Sequence, residues 1–438
     1  MPSSNNKIIL LTLGEELLLG LTPNSHLTYI GEQLRKHGVT LHSNLTISDE
    51  ATDIKVEFES IWSKADIVIT SGGLGPTVDD RTKEIISESI AEPLVFDPTI
   101  LTAIQARLQQ LGLKMTENNR KQAFRPESAK VLENPNGTAP GLWIEKEGKI
   151  LIMLPGPPRE LIPMFENEVL PRLAQLGKID EIENYLQIRT IGVGESSLET
   201  NLQSIITSHP DLTVAYCAHQ GQVDIRLSFP NHEEREEELL DIAAQCKKLL
   251  GSNFLCFGHD SLPEVVSKIL KLKIKTLALA ESCTGGLIAN AITDISGASE
   301  FFRGGITCYQ DDVKIDMLNV PMEMIQQHSA VSQEVAMAMA AGVSEKFEAE
   351  YTLSTTGYAG PNGGDENNPV GTVFIGLHSA TGIWSRKVHF EGTRQEIKRR
   401  VMTVALDWLR RTLIEQPEEN ISHSELQKES KQILKSLS

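Results

Sequence analysis

Two stretches of the chain set glycines beside hydroxyls or carboxylates at the point where an apolar strand pattern gives way to a helical one. The first, Ser71-Gly72-Gly73-Leu74-Gly75-Pro76-Thr77-Val78-Asp79-Asp80, follows the apolar run Asp66 to Thr70 and precedes a helical pattern that begins near Arg81. Gly72, Gly73 and Gly75 let backbone N–H groups converge on an anion, and the helix N-terminus adds partial positive charge, so a phosphate is the expected guest. Asp79 or Asp80 could simply be the N-cap of that helix. Two adjacent carboxylates exceed what capping needs, and oxygen donors of this kind suit a divalent cation such as Mg, Mn or Co.

The second stretch, Ala280-Glu281-Ser282-Cys283-Thr284-Gly285-Gly286, ends an apolar strand and opens a helical pattern near Thr284 that runs to about Asp294. A serine there faces oriented N–H donors able to stabilise an oxyanion, which makes Ser282 a candidate nucleophile. The competing reading makes Ser282 and Thr284 helix caps and the glycines a plain turn, and the motif alone leaves the two even. A nucleophilic serine needs a base. The segment Gly304 to Lys314 supplies Tyr309 and Lys314 just after a second strand pattern. A lysine serves as a general base when burial or neighbouring cations favour the neutral amine, and a tyrosine hydroxyl can relay its proton. By composition alone Lys314 is a surface lysine and Tyr309 a strand-end aromatic; spacing gives no geometry. Cys283 as nucleophile would call for a histidine partner at recognisable spacing, and none is evident.

The elements that must position these groups follow a βαβ rhythm. Strand patterns at Lys7 to Leu13, from Val39, at Asp66 to Thr70 and at Lys149 to Leu154 alternate with helical ones at Asn24 to His37 and towards Leu176. This alternation predicts a mostly parallel sheet with ligands at the carboxyl ends of its strands. After the polar stretch Gly177 to Asn184 comes a smaller α+β pattern: strands Leu186 to Ile191 and Gln222 to Phe229, helices Ser196 to Thr207 and His232 to Leu250. Its Gly192-Val193-Gly194 reads as a plain turn, since a lone Gly-x-Gly is a weak nucleotide signal. A third α/β pattern begins after Pro263, with strands at Lys275 to Ala280, Tyr351 to Thr356, Val370 to Leu377 and Trp384 to Phe390 and a last helix from Thr393 to about Leu413. The expected domains are 1–177, 178–258 and 259–415, with a charged tail at 416–438.

Composition narrows the function class. At 438 residues the chain exceeds one ordinary core, since domains run to about 100–200 residues. No apolar run approaches the roughly 18 residues of a membrane span, so no membrane partner is expected. Met1 to Lys7 is polar and lacks the pattern of a signal peptide, and the five scattered cysteines are unlike a secreted disulfide framework, so the expected location is cytoplasmic and the thiols reduced. A net charge of −18 with no Lys/Arg stripe argues against nucleic acid.

The first loop resembles the Gly-Gly-Leu-Gly-Pro-Thr-x-Asp-Asp loop of molybdopterin-binding domains. With Thr116-Glu117-Asn118-Asn119-Arg120-Lys121-Gln122-Ala123, Asn134 to Gly141 and Pro155-Gly156-Pro157-Pro158-Arg159-Glu160, the domain resembles that of the CinA family. The resemblance implies an N-terminal molybdopterin-binding-like parallel-sheet domain, a small α+β KH-like middle module and a C-terminal α/β CinA deamidase domain. For the first domain it implies metal-dependent hydrolysis of the ADP-ribose pyrophosphate. Asp79 and Asp80 would hold the metal, with Gly72, Gly73, Gly75, Thr77, Lys121 and Arg159 on the phosphates. The loop after the first strand departs from the family's Gly-Thr-Glu and Asn-x-Asn patterns, reading Gly14-Glu15-Glu16 and Asn24-Ser25-His26, which adds a carboxylate and an imidazole.

Downstream, Pro361-Asn362-Gly363-Gly364 and Pro369-Val370-Gly371-Thr372-Val373 complete a likeness to the family's nicotinamide mononucleotide deamidase domain. Carried over by motif, Ser282 is the nucleophile, Lys314 the base and Tyr309 its assistant. Backbone N–H groups from Cys283, Thr284, Gly285 and Gly286 face the oxyanion, while Thr356 and Arg394 bind the nucleotide. No cofactor is expected for the deamidase; the expected partners are the mononucleotide, ADP-ribose and a second copy in a homodimer. The acidity of the chain argues against RNA on the KH-like module. The alternative is a nucleotide-binding regulatory protein with a vestigial N-terminal pocket.

Overall fold

The computed structural model describes residues 6–179, 185–219, 221–229 and 235–415. The charged tail 416–438 and residues 180–184 of the polar stretch lie outside the described residues. The chain divides into two compact units, Met1–Tyr185 and Leu186–Ser438.

In the first unit, strands β1 (Ile8–Leu13), β2 (Leu41–Ile47) and β3 (Ile67–Ser71) come first, then a small ribbon of β4 (Leu94–Phe96) and β5 (Phe124–Pro126). Then follow β6 (Lys130–Leu132), β7 (Gly141–Lys146) and β8 (Lys149–Leu154), and the main sheet has the order β2-β1-β3-β8-β7-β6. Side chains alternate along its strands: Ile8, Leu10, Ile67, Ile69, Ile150 and Ile152 enter one core, and Ile9, Leu11, Val68, Leu151 and Met153 the other. Apolar residues on both faces are what a sheet covered by helices on both sides demands. The four strands β2, β1, β3 and β8 are parallel, as expected, but β7 pairs antiparallel with β8 on one side and with β6 on the other. The reason is the two-residue link between β7 and β8: Glu147 and Gly148, at φ 52° and 76°, form a hairpin turn too short for a parallel crossover.

The second unit holds two sheets. Strands β9 (Leu186–Ile191), β10 (Thr213–His219), β11 (Gln222–Ser228) and β12 (Phe254–Phe257) form an antiparallel sheet ordered β10-β11-β9-β12. Helices Glu195–Ser208 and Glu236–Leu250 pack on it through Leu198, Leu202, Leu239 and Ile242. Strands β13 (Leu277–Glu281), β14 (Phe302–Thr307), β15 (Tyr351–Gly357), β16 (Thr372–Ser379) and β17 (Gly382–His389) form the other, ordered β14-β13-β15-β16-β17. Here β14, β13 and β15 are parallel, and β16 and β17 antiparallel. Along β13, Leu277 and Leu279 face helices Leu262–Leu272 and Arg394–Glu415, while Ala278 and Ala280 face helix Gln333–Phe347. Arg410, 1% exposed, joins the two sheets: its guanidinium donates to the carbonyls of Phe254 (2.9 Å) and Ser252 (2.6 Å) and to the Asp407 carboxylate.

One close approach fixes the helix that carries Lys314. That helix, Asp311–Leu318, ends against Gly342 of Gln333–Phe347, where an added Cβ would stand 1.9 Å from the Leu318 carbonyl oxygen. Only glycine fits. Gly342→Ala is therefore expected to destabilise the protein by about 1–3 kcal/mol through overpacking. Urea unfolding reads this directly, and an unchanged midpoint would contradict the close approach.

Candidate active site

The carboxyl ends of the three parallel strands β14, β13 and β15 are level, because Glu281 pairs with Thr307 on one side and Thr355 on the other. Backbone bonds carry the register past the strands: Ser282 N–H donates to the Thr355 carbonyl and Cys308 N–H to the Glu281 carbonyl, both at 2.9 Å. Ser282 and Tyr309 thus follow neighbouring strand ends, and Thr356 is the last residue but one of the adjoining strand β15.

The helix beyond Ser282 begins later than the sequence pattern suggests. It runs from Leu287 to Thr293, and Gly285 and Gly286, at φ 63° and 88°, turn the chain before it. Neither Ser282 nor Thr284 caps it. The cap is the carboxylate of Glu281, 2% exposed, whose Oε2 accepts from Gly286 N–H (3.0 Å) and Ile288 N–H (3.1 Å) and whose Oε1 accepts from Ala289 N–H (2.8 Å). Three N–H donors compensate an anion that burial would otherwise make costly. Gly285 N–H bonds back to the Ser282 carbonyl at 3.1 Å.

Around this turn the side chains are held from distant parts of the sequence. Lys314 is 2% exposed, and its ammonium donates to Asp311 Oδ1 at 3.0 Å and to the Tyr309 carbonyl at 3.4 Å. Tyr309 is half exposed, and its hydroxyl accepts from Arg394 at 2.8 Å, while the same guanidinium donates to the Gly360 carbonyl at 2.7 Å. Thr284 shares a 2.7 Å hydrogen bond with the Thr355 hydroxyl, and Thr356 donates to the Ala330 carbonyl at 2.6 Å. Among the described residues no hydrogen bond joins Ser282 to Lys314. Burial pushes the Cys283 thiol up to about 12, against the opposing Thr355 hydrogen bond, and the Cys308 thiol up to about 11. Cys246, Cys256, Cys283 and Cys308 are free thiols.

At the glycine loop of the first unit a cavity of about 370 Å³ is walled by Gly72, Gly73, Gly75, Asp79 and Asp80, with Glu16 and Asp49 also lining it. Gly73 is at φ 67°, and an added Cβ would stand 1.8 Å from the Thr82 hydroxyl, so a side chain is excluded. The loop braces itself. Asp80 Oδ2 accepts from both the N–H (2.9 Å) and the hydroxyl of Thr77, and the Lys121 ammonium donates to the carbonyls of Thr77 and Asp80. Neither aspartate caps the helix Thr82–Ser89. Hydrogen bonding by the Thr77 side chain holds the Asp79 carboxyl below its usual range. Burial raises that of Asp49, and the charges of Glu16, Asp79 and Asp80 add to the rise. Arg159 projects outward, its side chain 79% exposed and 3.9 Å from Glu160. His26 bonds Ser71 Oγ through Nδ1 at 3.0 Å, and burial lowers its basicity.

Three family models match this chain: the probable molybdopterin binding domain over residues 9–175, the damage-inducible protein CinA KH domain over 187–255 and the CinA C-terminal domain over 259–413. A competence-damage inducible protein of Clostridium botulinum (strain Okra / Type B1) is 41% identical over 409 residues, 93% of this chain and 100% of that protein. The chain belongs to the CinA family. A CinA-like protein of Dictyoglomus thermophilum is 39% identical over 92% of this chain and 98% of its own length. A solved structure of CinA from Thermoplasma acidophilum is 32% identical, covers 39% of this chain and 98% of that one, and has a TM-score of 0.35. Among the described residues no helix of this CinA family member is long and apolar enough to cross a membrane.

Sequence reasoning missed several residues of this CinA chain's two sites. Glu281 carried one signal, its place between the strand and the glycine pair. Asp311 and Asp49 carried none. Of the two carboxylates in the first loop, Glu16 lines the cavity, while Glu15 gives Asp49 its backbone N–H at 3.2 Å. Because Glu281 is buried against three N–H groups, Glu281→Gln sets an amide NH2 against one of those donors. The variant is expected to lose about 1–3 kcal/mol of stability. Chemical denaturation of both proteins measures it, and equal midpoints would show that the carboxylate is not what holds the turn.

Proposed function

We propose that this protein is an amidohydrolase that converts nicotinamide mononucleotide to nicotinate mononucleotide and ammonia. What carries the reading is the Ser282 turn: neither hydroxyl in it is consumed as a helix cap, and it lies between the strand ends that lead to Lys314 and to Thr356. The Ser282 oxygen attacks the carboxamide carbon, and its proton passes to Lys314 as the general base. Two N–H groups of the turn, those of Cys283 and Thr284, are left for the oxyanion, because Gly285 and Gly286 bond to Ser282 and Glu281. Tyr309 accepts from Arg394, so its own proton remains to be donated, and with Lys314 it returns a proton to the departing ammonia. Water then hydrolyses the acyl-serine ester. Thr356 and Arg394 hold the nucleotide, and no metal enters this chemistry. The buried Cys283 thiol, pushed up to about 12, speaks for serine as nucleophile.

For the N-terminal domain we propose hydrolysis of the ADP-ribose pyrophosphate with Mg, Mn or Co. Asp79 and Asp80 would hold the cation, with Glu16 and Asp49 adding negative charge to the same cavity. Among the described residues no group of three or more His, Cys, Asp or Glu could hold a metal ion. Two adjacent carboxylates fill only part of such a cation's shell, so its remaining ligands would come from phosphate oxygens and water. Bound there, it would neutralise phosphate charge and favour attack by water. Gly72, Gly73 and Gly75 cradle the phosphate, Thr77 and Lys121 shape the loop, and Arg159, which projects outward, would meet the phosphate only by turning its side chain inward. Binding without turnover is the second reading of this pocket, favoured by the engagement of Thr77 and Lys121 within the loop itself.

Ser282→Ala is expected to abolish ammonia release, with Lys314→Met equally inactive and the double variant no worse, since members of one catalytic unit are not additive. Cys283→Ala is expected to keep most of the activity. A folded but inactive Cys283→Ala beside an active Ser282→Ala would reverse the assignment. Asp79→Asn and Asp80→Asn are each expected to weaken metal-dependent release of AMP from ADP-ribose without touching deamidation. Wild-type protein that binds ADP-ribose but releases no AMP with any of the three metals would establish the binding-only reading.

A further inference from the structure

We propose that Lys398 is a second phosphate-binding cation of the deamidase site, acting with Arg394 to select phosphorylated substrates over the corresponding nucleosides. The inference rests on the deamidase reading above and deepens it. Arg394 and Lys398 stand four residues apart on the helix Arg394–Glu415, so they project from one face a turn apart. The Lys398 ammonium lies over the turn that carries Ser282: a Cβ built on Gly285 would stand 3.4 Å from its Nζ. With glycine there, no side chain separates the ammonium from the backbone of the turn.

Lys398 is half-buried, yet among the described residues no hydrogen bond or ion pair reaches its ammonium. The carboxylate nearest to it in sequence on its helix, and the one that ends the strand before the turn, are engaged elsewhere. Glu396 Oε2 accepts from the N–H (2.7 Å) and the hydroxyl (2.8 Å) of Thr393, and Glu281 is taken by three backbone N–H groups. Arg394 differs, since the Gly360 carbonyl and the Tyr309 hydroxyl fix its guanidinium in place. The site thus pairs one anchored cation with one that lacks a counter-ion. The unpaired ammonium is free to take a phosphate dianion of the substrate as its counter-ion.

The test compares Lys398→Met and Lys398→Arg with wild type on nicotinamide mononucleotide and nicotinamide riboside, with ribose 5-phosphate titrated calorimetrically into each. Lys398→Met is expected to lower the preference for mononucleotide over riboside, as the ratio of kcat/KM values, by about tenfold or more, chiefly through KM. Ribose 5-phosphate affinity should fall about as much, and Lys398→Arg should restore most of both. Unchanged selectivity, or equal loss on both substrates, would overturn the proposal. If wild type releases ammonia from neither substrate, the deamidase reading fails and the titration decides alone. Ribose 5-phosphate binding that Lys398→Met weakens sustains the cation site; equal affinity in both proteins, or binding by neither, ends it.

Discussion

The geometry of the C-terminal site depends on one buried anion. Glu281 ends β13, and its carboxylate folds forward across the turn to accept three N–H groups at the start of the next helix. The bonds span five to eight residues, so they fix the path of Ser282, Cys283 and Thr284 between anchor and helix. They also take the Gly286 N–H, and so decide which N–H groups of the turn remain for a ligand. A helix N-terminus ordinarily attracts a ligand anion, but here the protein supplies its own, and the remaining donors lie in the turn that carries the serine.

The same sheet that supports Glu281 levels its neighbours. Parallel pairing on both sides of β13 brings the chain after Thr307 and the chain after Thr355 to the same edge, where loops rather than strands carry the polar groups. The helix bearing Lys314 is seated against Gly342, and β16 is seated as closely: an added Cβ at Gly376 would stand 2.4 Å from the Ala336 carbonyl oxygen. Two glycines without room for a methyl set the depth at which the lysine is buried.

The two sites share a plan and differ in where the carboxylate closes. Each has an apolar strand, a glycine-rich turn and an acid beside it. In the first unit Asp80 closes back on Thr77 within the loop, and Lys121 pins the carbonyls from outside, which leaves Asp79, Glu16 and Asp49 crowding a cavity with negative charge. In the second, Glu281 closes forward on the helix, and the charges around the turn are the cations Lys314, Arg394 and Lys398. The first arrangement suits a cation accompanied by phosphate, the second an anionic ester beside a nucleophile.

The sequence by itself determined most of the scaffold. Strand Lys149–Leu154 coincides with its apolar run, because burial on two faces leaves no other use for such a run, and Leu186–Ile191 with an alternation of apolar and polar residues. The motifs around Gly72 and Ser282 marked both sites, since turns at strand ends demand glycine. The antiparallel pairing through β7, with β6 beyond it, and the strands β10 and β12 were not legible: their pairing depends on a hairpin turn and on partners far along the chain. The same holds for the site's chemistry. Whether Lys121 meets a phosphate or a carbonyl, whether a helix is capped by Ser282 or by Glu281, and whether Arg394 reaches Tyr309, 85 residues away in sequence, are decided by hydrogen bonds between side chains and groups brought together only by folding. Spacing along a chain specifies which donors exist; only the packed structure assigns each donor its acceptor.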